Sequence, residues 1–454
     1  MSPKRSALRS AALPPRPALG PAPKIAVPTV AERTLGSGLR VAAVRRRGVP
    51  LVEIRLRVPF AGTAKSHLAR SAVLGESFFT GTASHDAQQL AEAIQGLGGS
   101  LGASTDADRL AVGGSALAEN LRPLLELLAS TVTGNTYPAD EVAGERDRVA
   151  EEVAIARTTP SALADEAVSH RLFGRHPYGR DLPTVTEVAA VTAGSLRTLH
   201  AQQVSPVGAL LVIVGDVAPT RALDLAAQTF ADWTAHARTP VTLPPVPAFV
   251  PGGIALVDRP GSVQTSLRVV APAPPRDDPS YAALSLVNTV FAGYFSSRLV
   301  ANIREDKGYT YSPHAGIMHA DLASYLAVTA DVATEVTAPA LVETRYEMAK
   351  IAAAPVTQDE LDAAGRYLVG TLALSTASQA GLASTLARLL DAGFDATWLR
   401  SHPAALGRVT VDSAHEAAQR WLAPAAAGTV LVGDAERIRR SVSALDTVDV
   451  VQVN

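Results

Sequence analysis

An arginine and a tyrosine stand seven residues apart in the stretch FSSRLVANIREDKGYTY, which runs from Phe295 to Tyr311. The guanidinium of Arg304 offers five N–H donors in a planar fork, and the phenol of Tyr311 offers one O–H donor. Donors of this kind suit a carbonyl oxygen, or the oxyanion that forms when a carbonyl is attacked. The pattern predicts a carbonyl-binding corner, with a surface arginine and a core tyrosine as the alternative interpretation.

A helix followed by a short strand is predicted to position this pair. Leu299 and Ile303 fall on one face of a helix that also carries Arg304. Gly308 follows as a residue that ends a helix in a left-handed conformation without strain. The run Tyr309–Tyr311 then predicts a short strand with both tyrosines on one side.

The composition indicates a soluble protein with more than one domain. The 454 residues are 47% hydrophobic and 19% charged, a balance typical of globular chains too long for one core. A net charge of -2 leaves no basic excess for nucleic acid, and no run approaches the roughly 18 apolar residues of a membrane span. Because the chain has no cysteine, disulfides, thiolate zinc sites and a cysteine nucleophile are excluded. We expect a cytoplasmic protein that binds neither nucleic acid nor membrane.

The first 32 residues differ in composition from the rest of the chain. Residues 1–32 are rich in proline, and up to about residue 30 they carry basic but no acidic side chains. No apolar core of a secretory signal follows the charges, and the prolines would break the amphipathic helix of a transit peptide. The pattern predicts a flexible basic tail.

The remaining sequence consists of two similar halves, residues 33–236 and 253–454, joined by a proline-rich linker at 237–252. Each half opens with two strand patterns and closes with an apolar run that ends in Gly-Asp. These patterns lie at 39–44, 52–58 and 209–216 in the first half, and at 254–257, 264–270 and 429–434 in the second. Helices are predicted at 67–80, 85–97, 120–132, 139–157, 194–203 and 280–290. Strands interleaved with long helices predict two duplicated α+β domains, each with helices on one face of its sheet.

Four pieces of the first half carry a family resemblance. They are FFTGT at 78–82, GGSLGAST at 98–105, GERDRVAEEV at 144–153 and HPYG at 176–179. Together with the arginine–tyrosine corner and the duplicated halves, they resemble the insulinase/pitrilysin family of zinc metallopeptidases. The resemblance covers the chain from residue 33 onward and is closest to short members, such as subunits of bacterial peptidases and mitochondrial processing peptidase. It implies antiparallel-rich sheets and a fold that forms half of a clamshell chamber.

The zinc site that this resemblance implies is degenerate here. In active members, H-x-x-E-H on a helix before the F-x-G-T segment supplies two zinc-binding histidines and a glutamate base. The five corresponding positions are Ala72-Val-Leu-Gly75-Glu76, so both histidines and the base are missing. The family's third ligand, a later glutamate, is retained as Glu152. Because a lone carboxylate is a poor zinc site, we expect no metal on this chain and Glu152 to be a charge on a solvated helix face.

The same resemblance gives Arg304 and Tyr311 a role. In the family this pair binds the substrate carbonyl and stabilises the tetrahedral intermediate, and both residues match here. Some members are heterodimers in which one subunit carries H-x-x-E-H and the other supplies the arginine–tyrosine pair. This chain resembles the second kind. The resemblance implies a chain that is inactive alone, uses Arg304 and Tyr311 in trans as catalytic and substrate-binding residues, and needs a homologous zinc subunit to cleave peptides.

Two other functions remain open at this point. A catalytically dead pseudo-peptidase that acts as a structural or peptide-binding scaffold, as complex III core proteins do, would also lack the zinc ligands. The retained Arg304 and Tyr311 favour the peptidase subunit, because a scaffold has no need of them. A self-sufficient hydrolase of another chemistry is disfavoured, since the chain has no cysteine nucleophile. Removal of a leader from a peptide product is one reaction that the heterodimer interpretation implies.

Overall fold

The computed structural model describes residue 20 and residues 25–234 and 241–452, which form two six-stranded sheets. The first-half strands are β1 (Ala31–Thr34), β2 (Arg40–Arg45), β3 (Leu51–Pro59), β4 (Ser100–Thr105), β5 (Arg109–Leu117) and β6 (Leu210–Gly215). The first-half helices are α1 (His67–Glu76), α2 (Ala87–Gly96), α3 (Leu121–Gly134), α4 (Ala139–Ala156), α5 (Pro160–Phe173), α6 (Val185–Ala189), α7 (Ala193–Gln203) and α8 (Pro219–Thr229).

The second half repeats this arrangement. Its strands are β7 (Ile254–Asp258), β8 (Gln264–Pro272), β9 (His314–His319), β10 (Ser324–Ala333), β11 (Gly428–Gly433) and β12 (Val448–Val451). Its helices are α9 (Tyr281–Asn288), α10 (Thr337–Ala353), α11 (Gln358–Ser375), α12 (Gln379–Asp391), α13 (Trp398–Leu406), α14 (Val411–Trp421) and α15 (Ala435–Val442).

The two sheets share the arrangement of five strands and differ at one edge, where β1 is antiparallel to β2 and β12 is parallel to β7. Their strand orders are β1-β2-β6-β3-β5-β4 and β12-β7-β11-β8-β10-β9, and most neighbouring strands are antiparallel. The closing strand of each half, β6 or β11, lies between the two opening strands, β2 and β3 or β7 and β8. The repeated strand patterns of the sequence therefore occupy equivalent places. The prediction of an α+β protein with two duplicated, antiparallel-rich domains is confirmed.

The alternation of apolar and charged residues in β3 determines which face of the first sheet packs on the helices of the first half. Val52, Ile54 and Leu56 are fully buried in the core that the first half forms with its own helices. The intervening Arg55 and Arg57 face the opposite side, where they bond α12 of the second half. Because side chains alternate across a strand, a single sequence pattern fixes both contacts.

Helices exchanged between the halves cover the outer faces of both sheets. Leucines of α12 pack on β2 and β6 in the first sheet. In return, α5 of the first half packs on β7, β8 and β11 through residues such as Val168 and Leu172. The sequence predicted helices on one face only. The second layer explains why β6 and β11 are apolar and buried along their whole length.

The predicted domain boundaries fall partly outside the described residues. Of the tail predicted at 1–32, residues 1–19 and 21–24 lie outside them, as do residues 235–240 at the predicted linker and 453–454 at the chain end. Within the described part of that tail, Ile25, Val27 and Val30 pack against the α12 layer. Residues 241–252 contain neither helix nor strand, and Arg171 donates a hydrogen bond to the Val250 carbonyl there (3.1 Å).

Two histidines form an aromatic cluster at one end of the second sheet. His319 lies 3.3 Å from the Tyr281 hydroxyl, and the His402 ring stacks on Trp398 with 4.2 Å between centroids. Burial first, and then the charge of Arg276, lower the pKa of each histidine to about 4. Both rings are therefore neutral in the folded chain at neutral pH.

Acid is expected to destabilise the fold through this cluster. In the unfolded chain a histidine has a pKa of about 6.5, so between that pH and about 4 the unfolded state binds more protons. The free energy of unfolding should fall as pH is lowered through this window, by about 1–2 kcal/mol for each partly exposed ring. Urea unfolding at pH 7 and pH 4.5 measures the loss. Between these two pH values, the free energy of unfolding of His402→Gln should fall by less than that of the parent. An equal fall would show that the lowered pKa of His402 does not contribute to the acid sensitivity.

Candidate functional site

Arg304 lies on a π-helical segment, Val300–Asp306. The Lys307 N–H donates to the Asn302 carbonyl five residues earlier, at 3.2 Å, as the wider π turn requires. Such segments are rare and frequently occur at functional sites. The extra residue in the turn changes the direction in which the last side chains leave the helix, and Arg304 is among them.

The predicted helix face and helix end are confirmed around this segment. Leu299 and Ile303 are both fully buried in the core of the second half. Gly308 has a φ of +63°, the left-handed conformation in which glycine ends a helix without a Cβ clash.

The predicted strand at Tyr309–Tyr311 is wrong. Only Thr310 forms a β-bridge, to Val332, and the chain otherwise continues as a loop. The two tyrosines therefore do not share a side. Tyr309 is half-buried against the core of the second half, whereas Tyr311 is 80% exposed. Without a continuous ladder of hydrogen bonds, the alternation of a strand does not apply here.

Two aromatic rings lie against the Arg304 guanidinium. Its Cζ lies 4.6 Å from the ring centroid of Phe295 and 4.9 Å from that of Tyr311. Arg304 Nε is also 3.3 Å from a carboxylate oxygen of its neighbour Glu305. Guanidinium groups stack well on aromatic faces, and stacking leaves the N–H groups in the guanidinium plane available as donors. Arg304 and Tyr311 are thus brought together as predicted, and Phe295 is an additional member.

The sequence reasoning missed Phe295 because it precedes the helix and follows no periodic pattern. It is 63% exposed, so burial would not reveal it either. The signal that could have found it is an aromatic residue left on the surface immediately before an arginine-bearing helix.

Polar contacts with α10 and α11 hold the π-helical segment in place. Asn302 donates hydrogen bonds to Glu343 (3.0 Å) and Glu347 (2.8 Å) of α10. Arg298 forms a two-fold hydrogen bond with Glu360 of α11, at 2.7 and 2.8 Å. That bond is the main reason why the pKa of Glu360 is lowered to about 2. The segment is therefore tied to two helices, which fixes the origin of the Arg304 side chain.

The degenerate zinc positions lie on α1 and α4 of the first half. Ala72 is half-buried, Gly75 is buried and Glu76 is exposed on α1, and Glu152 is exposed on α4. A Cβ built at Gly75 would lie 3.6 Å from the Ser104 Cα, an ordinary contact. The surroundings of Gly75 therefore accept a Cβ atom without a clash.

Arg148 of α4 contacts both Glu76, which replaces the second histidine, and the retained Glu152. Its Nε donates to Glu145 at 2.9 Å. The hydrogen bonds that Arg148 donates, first to Glu145 and then to Glu76, raise the pKa of Arg148 above its ordinary value. Glu152 is a solvated helix-face charge, as expected, but it is also part of this ion-pair cluster. The opposite charges at i, i+3 and i, i+4 along α4 were the feature of the sequence that could have predicted the contacts of Arg148 with Glu145 and Glu152.

The residues present do not fit a zinc ion. Both imidazole ligands are replaced, and a guanidinium cation contacts the carboxylates that remain. Among residues 25–234 and 241–452, no group of three or more histidine, cysteine, aspartate or glutamate side chains has an arrangement that could hold a metal ion. No catalytic step is therefore assigned to a metal on this chain.

A cavity of 1540 Å³ opens over the degenerate positions. Its lining includes Gly75, Glu76 and Glu152 from the first half and Ile254 and Asp449 from the second. Arg304 and Tyr311 of the second half are not part of this lining. Within one chain, the structure therefore keeps the two parts of the predicted site separate.

A serine motif in the first half is excluded as a nucleophile. The run GGSLG at 98–102 matches the letters of the G-x-S-x-G elbow, in which the serine occupies a strand-to-helix turn. Here Ser100 begins the edge strand β4, and its hydroxyl lies 3.3 Å from that of Ser115. The geometry of the elbow is absent at this position.

Two family models match successive parts of the chain. Insulinase (Peptidase family M16) matches residues 72–184, and Peptidase M16 inactive domain matches residues 190–368. The chain belongs to the insulinase family, M16. An uncharacterized zinc protease of Mycobacterium tuberculosis is 28% identical over 355 residues, which are 74% of this M16 chain and 81% of the relative. The match to a similar Mycobacterium leprae protein spans 66% of that protein.

Solved structures show the same fold. A peptidase M16 inactive domain from Pseudomonas fluorescens has a TM-score of 0.82 at 25% identity, over 89% of this M16 chain and 98% of that one. The periplasmic protease PqqL of Escherichia coli has a TM-score of 0.75 at 17% identity, over 96% of this chain and 48% of that one. The PqqL chain is thus about twice as long as the region it shares with this M16 chain.

None of the helices in the described ranges combines the length and the apolar character needed to cross a membrane.

Proposed function

We propose that this M16 chain is the non-zinc, substrate-binding subunit of a heterodimeric metallopeptidase that cleaves peptides. Arg304 and Tyr311 bind the carbonyl oxygen of the scissile peptide bond. A homologous H-x-x-E-H subunit holds the zinc ion, which supplies an activated water for attack on that carbonyl. The two subunits close over a chamber as the halves of a clamshell, and leader removal from a peptide product is one reaction of this class.

The contact of Arg304 with two exposed aromatic rings carries this proposal. Arg298, close by in the sequence, forms a two-fold pair with the partly buried Glu360, as an arginine that supports the fold does. Arg304 instead lies against the exposed rings of Phe295 and Tyr311, and the one carboxylate that it contacts among the described residues belongs to its neighbour Glu305. This arrangement fixes the guanidinium while leaving donors free for a ligand, which is what a preorganised carbonyl site needs.

The chemistry assigned to this chain is the stabilisation of one developing charge. When water adds to the scissile carbonyl carbon, the electron pair of the C=O bond moves to the oxygen. An N–H of Arg304 and the O–H of Tyr311 donate hydrogen bonds to that oxyanion. Such a task is separable from water activation, so the two sets of groups can lie on different chains if the interface fixes their geometry.

The separation of the two parts within one chain supports a second subunit. Arg304 lies in the second half, away from the cavity over Glu76 and Glu152, and those positions do not fit zinc. In this proposal, the metal that acts with Arg304 is held by another chain.

Purification of the native complex tests the proposal. A tagged form of this chain is recovered from its own cells, and the eluate is assayed on a mixed peptide pool with and without a zinc chelator. We expect a co-purifying H-x-x-E-H protein and cleavage that the chelator abolishes. A chain recovered alone or on a scaffold, without cleavage, would favour the pseudo-peptidase.

Replacement of Phe295 tests whether the stack orients Arg304. Phe295→Leu keeps an apolar side chain but removes one aromatic face from the guanidinium. An exposed cation–π contact contributes about 0.5–1 kcal/mol, so cleavage by the heterodimer should fall about 2- to 5-fold. The control is Tyr346→Leu, at another exposed aromatic residue, which should leave cleavage unchanged. Equal rates for the two variants would remove Phe295 from the site.

A further inference from the structure

The π turn that carries Arg304 is closed twice by the same two residues. The backbone N–H of Lys307 donates to the carbonyl of Asn302 at 3.2 Å, and the Lys307 Nζ donates to the Asn302 Oδ1 at 2.9 Å. Arg304 lies between these two residues in the sequence, inside the closed turn. A change in the turn therefore changes the point from which the guanidinium extends.

The side-chain bond favours the wide turn. In an α-helix each residue turns the chain by about 100°, so positions i and i+5 lie about 140° apart around the axis. The side chains that meet on an α-helix are those at i+3 and i+4. The bond from Lys307 to Asn302 therefore stabilises the π turn relative to an α turn. A cation in the last turn also suits the negative end of the helix dipole.

The surroundings of Asn302 fix the orientation of its amide. The side chain is buried, and its Nδ2 donates to carboxylates of Glu343 (3.0 Å) and Glu347 (2.8 Å) on α10. The reversed amide would place its oxygen against two carboxylates, so this oxygen faces Lys307. The Lys307 Nζ also lies 3.6 Å from Glu343. The amide thus ties the π turn to a helix of the core.

We propose that Lys307 and Asn302 are positioning residues, which hold Arg304 in place by selecting the π turn. The rings of Phe295 and Tyr311 that contact Arg304 are both exposed, so they do not fix the backbone from which it extends. The two bonds between Lys307 and Asn302 act on that backbone from the buried side. Their importance for cleavage rests on the proposed function, whereas their effect on the guanidinium is measurable without a partner subunit.

The test compares Lys307→Met with Lys350→Met in the full-length chain. Methionine keeps the apolar stem and removes the ammonium group. Lys350 is the matched control, because its Nζ lies 4.0 Å from Glu347 of the same network but belongs to α10 and not to the π turn. Each chain is labelled with isotope-enriched arginine for NMR. The Nε–Hε resonance of Arg304 is assigned by its loss in Arg304→Ala.

The ring currents of Phe295 and Tyr311 act on the Arg304 resonance in the parent. In Lys307→Met this resonance should move at least as far as it does in Phe295→Leu, whereas Lys350→Met should leave it in place. The kcat of the proposed heterodimer should fall about 10-fold in Lys307→Met, with a smaller change in KM, because a displacement of about 1 Å can cost about 10²-fold. In the Arg304→Ala background, Lys307→Met should cause no further loss.

Either of two results would overturn the inference. An Arg304 resonance that stays in place in Lys307→Met would show that the lysine does not hold the guanidinium. Equal losses of kcat in the presence and in the absence of Arg304 would show that Lys307 acts by another route. Full cleavage by Arg304→Ala would instead refute the proposed function, and the resonance would still decide whether Lys307 positions Arg304. If Lys307→Met does not fold, Lys307→Gln, which keeps a polar side chain, is measured in its place with the same expected shift.

Discussion

Cleavage of peptide by the proposed heterodimer is expected to fall about 10²–10³-fold when Arg304 is replaced by alanine. The variant removes the charged donor and leaves the phenol of Tyr311 as the remaining group of this chain that can reach the oxyanion. Because the interaction strengthens as charge develops on the oxygen, kcat should fall more than KM rises. Steady-state kinetics on the purified complex, with one defined peptide substrate, measure both.

The companion variant Tyr311→Phe separates the hydroxyl from the ring. It keeps the aromatic face 4.9 Å from the Arg304 Cζ, so the stack survives while one donor is lost. We expect a decrease in the same range, or somewhat smaller because a neutral donor is weaker than a charged one. Tyr346→Phe, at an exposed tyrosine of α10, is the control and should be silent. Gel filtration should show all three complexes intact. Full activity in both Arg304→Ala and Tyr311→Phe would refute the transition-state role.

The free energy of unfolding is expected to fall by about 3 kcal/mol in Asp391→Ala, the largest loss of stability that we predict for a polar residue. Asp391 of α12 is a nearly buried carboxylate, with its side chain 10% exposed. It accepts hydrogen bonds from Arg57 (2.7 Å) and Arg109 (3.1 Å) of the first sheet. Its removal leaves both guanidinium groups without their shared partner. The expected loss of stability is at the low end of the range of about 3–5 kcal/mol for a broken buried ion pair. The reason is that Arg109 still forms its ion pair with Asp321, at 2.6 Å.

Chemical denaturation compares this variant with Asp277→Ala, at an exposed carboxylate whose loss should change the free energy by less than about 0.5 kcal/mol. Since α5 and α12 each complete the sheet of the opposite half, both halves should still unfold in one transition. Two separate transitions in the parent would contradict this interpretation of the exchanged helices. A loss below about 1 kcal/mol in Asp391→Ala would show that the ion pairs contribute little to holding α12 in place.

Much of the architecture could be predicted because local pattern determines it. Val52, Ile54 and Leu56 alternate with charged residues, so a half-buried strand follows from the pleat alone. The similar apolar runs of β6 and β11 predicted the duplication, because strands at equivalent positions in two sheets are buried in the same way and therefore have similar sequences. Gly308 ended the helix as predicted, since few other residues adopt its backbone conformation. The spacing of Arg304 and Tyr311 was sufficient to nominate the pair, although the strand expected between them is a loop.

By itself, then, the sequence determined the elements, the duplication, the loss of the zinc ligands and the candidate pair. Only the tertiary structure decided that helices are exchanged between the halves, that Phe295 completes the Arg304 stack, and that Arg148 joins α1 to α4. The physical reason is the range of the interactions. A helix end or a strand face depends on neighbours within a few positions. The bond from Arg57 to Asp391 joins residues 334 positions apart, and it exists only because the two sheets are already packed with the helices between them.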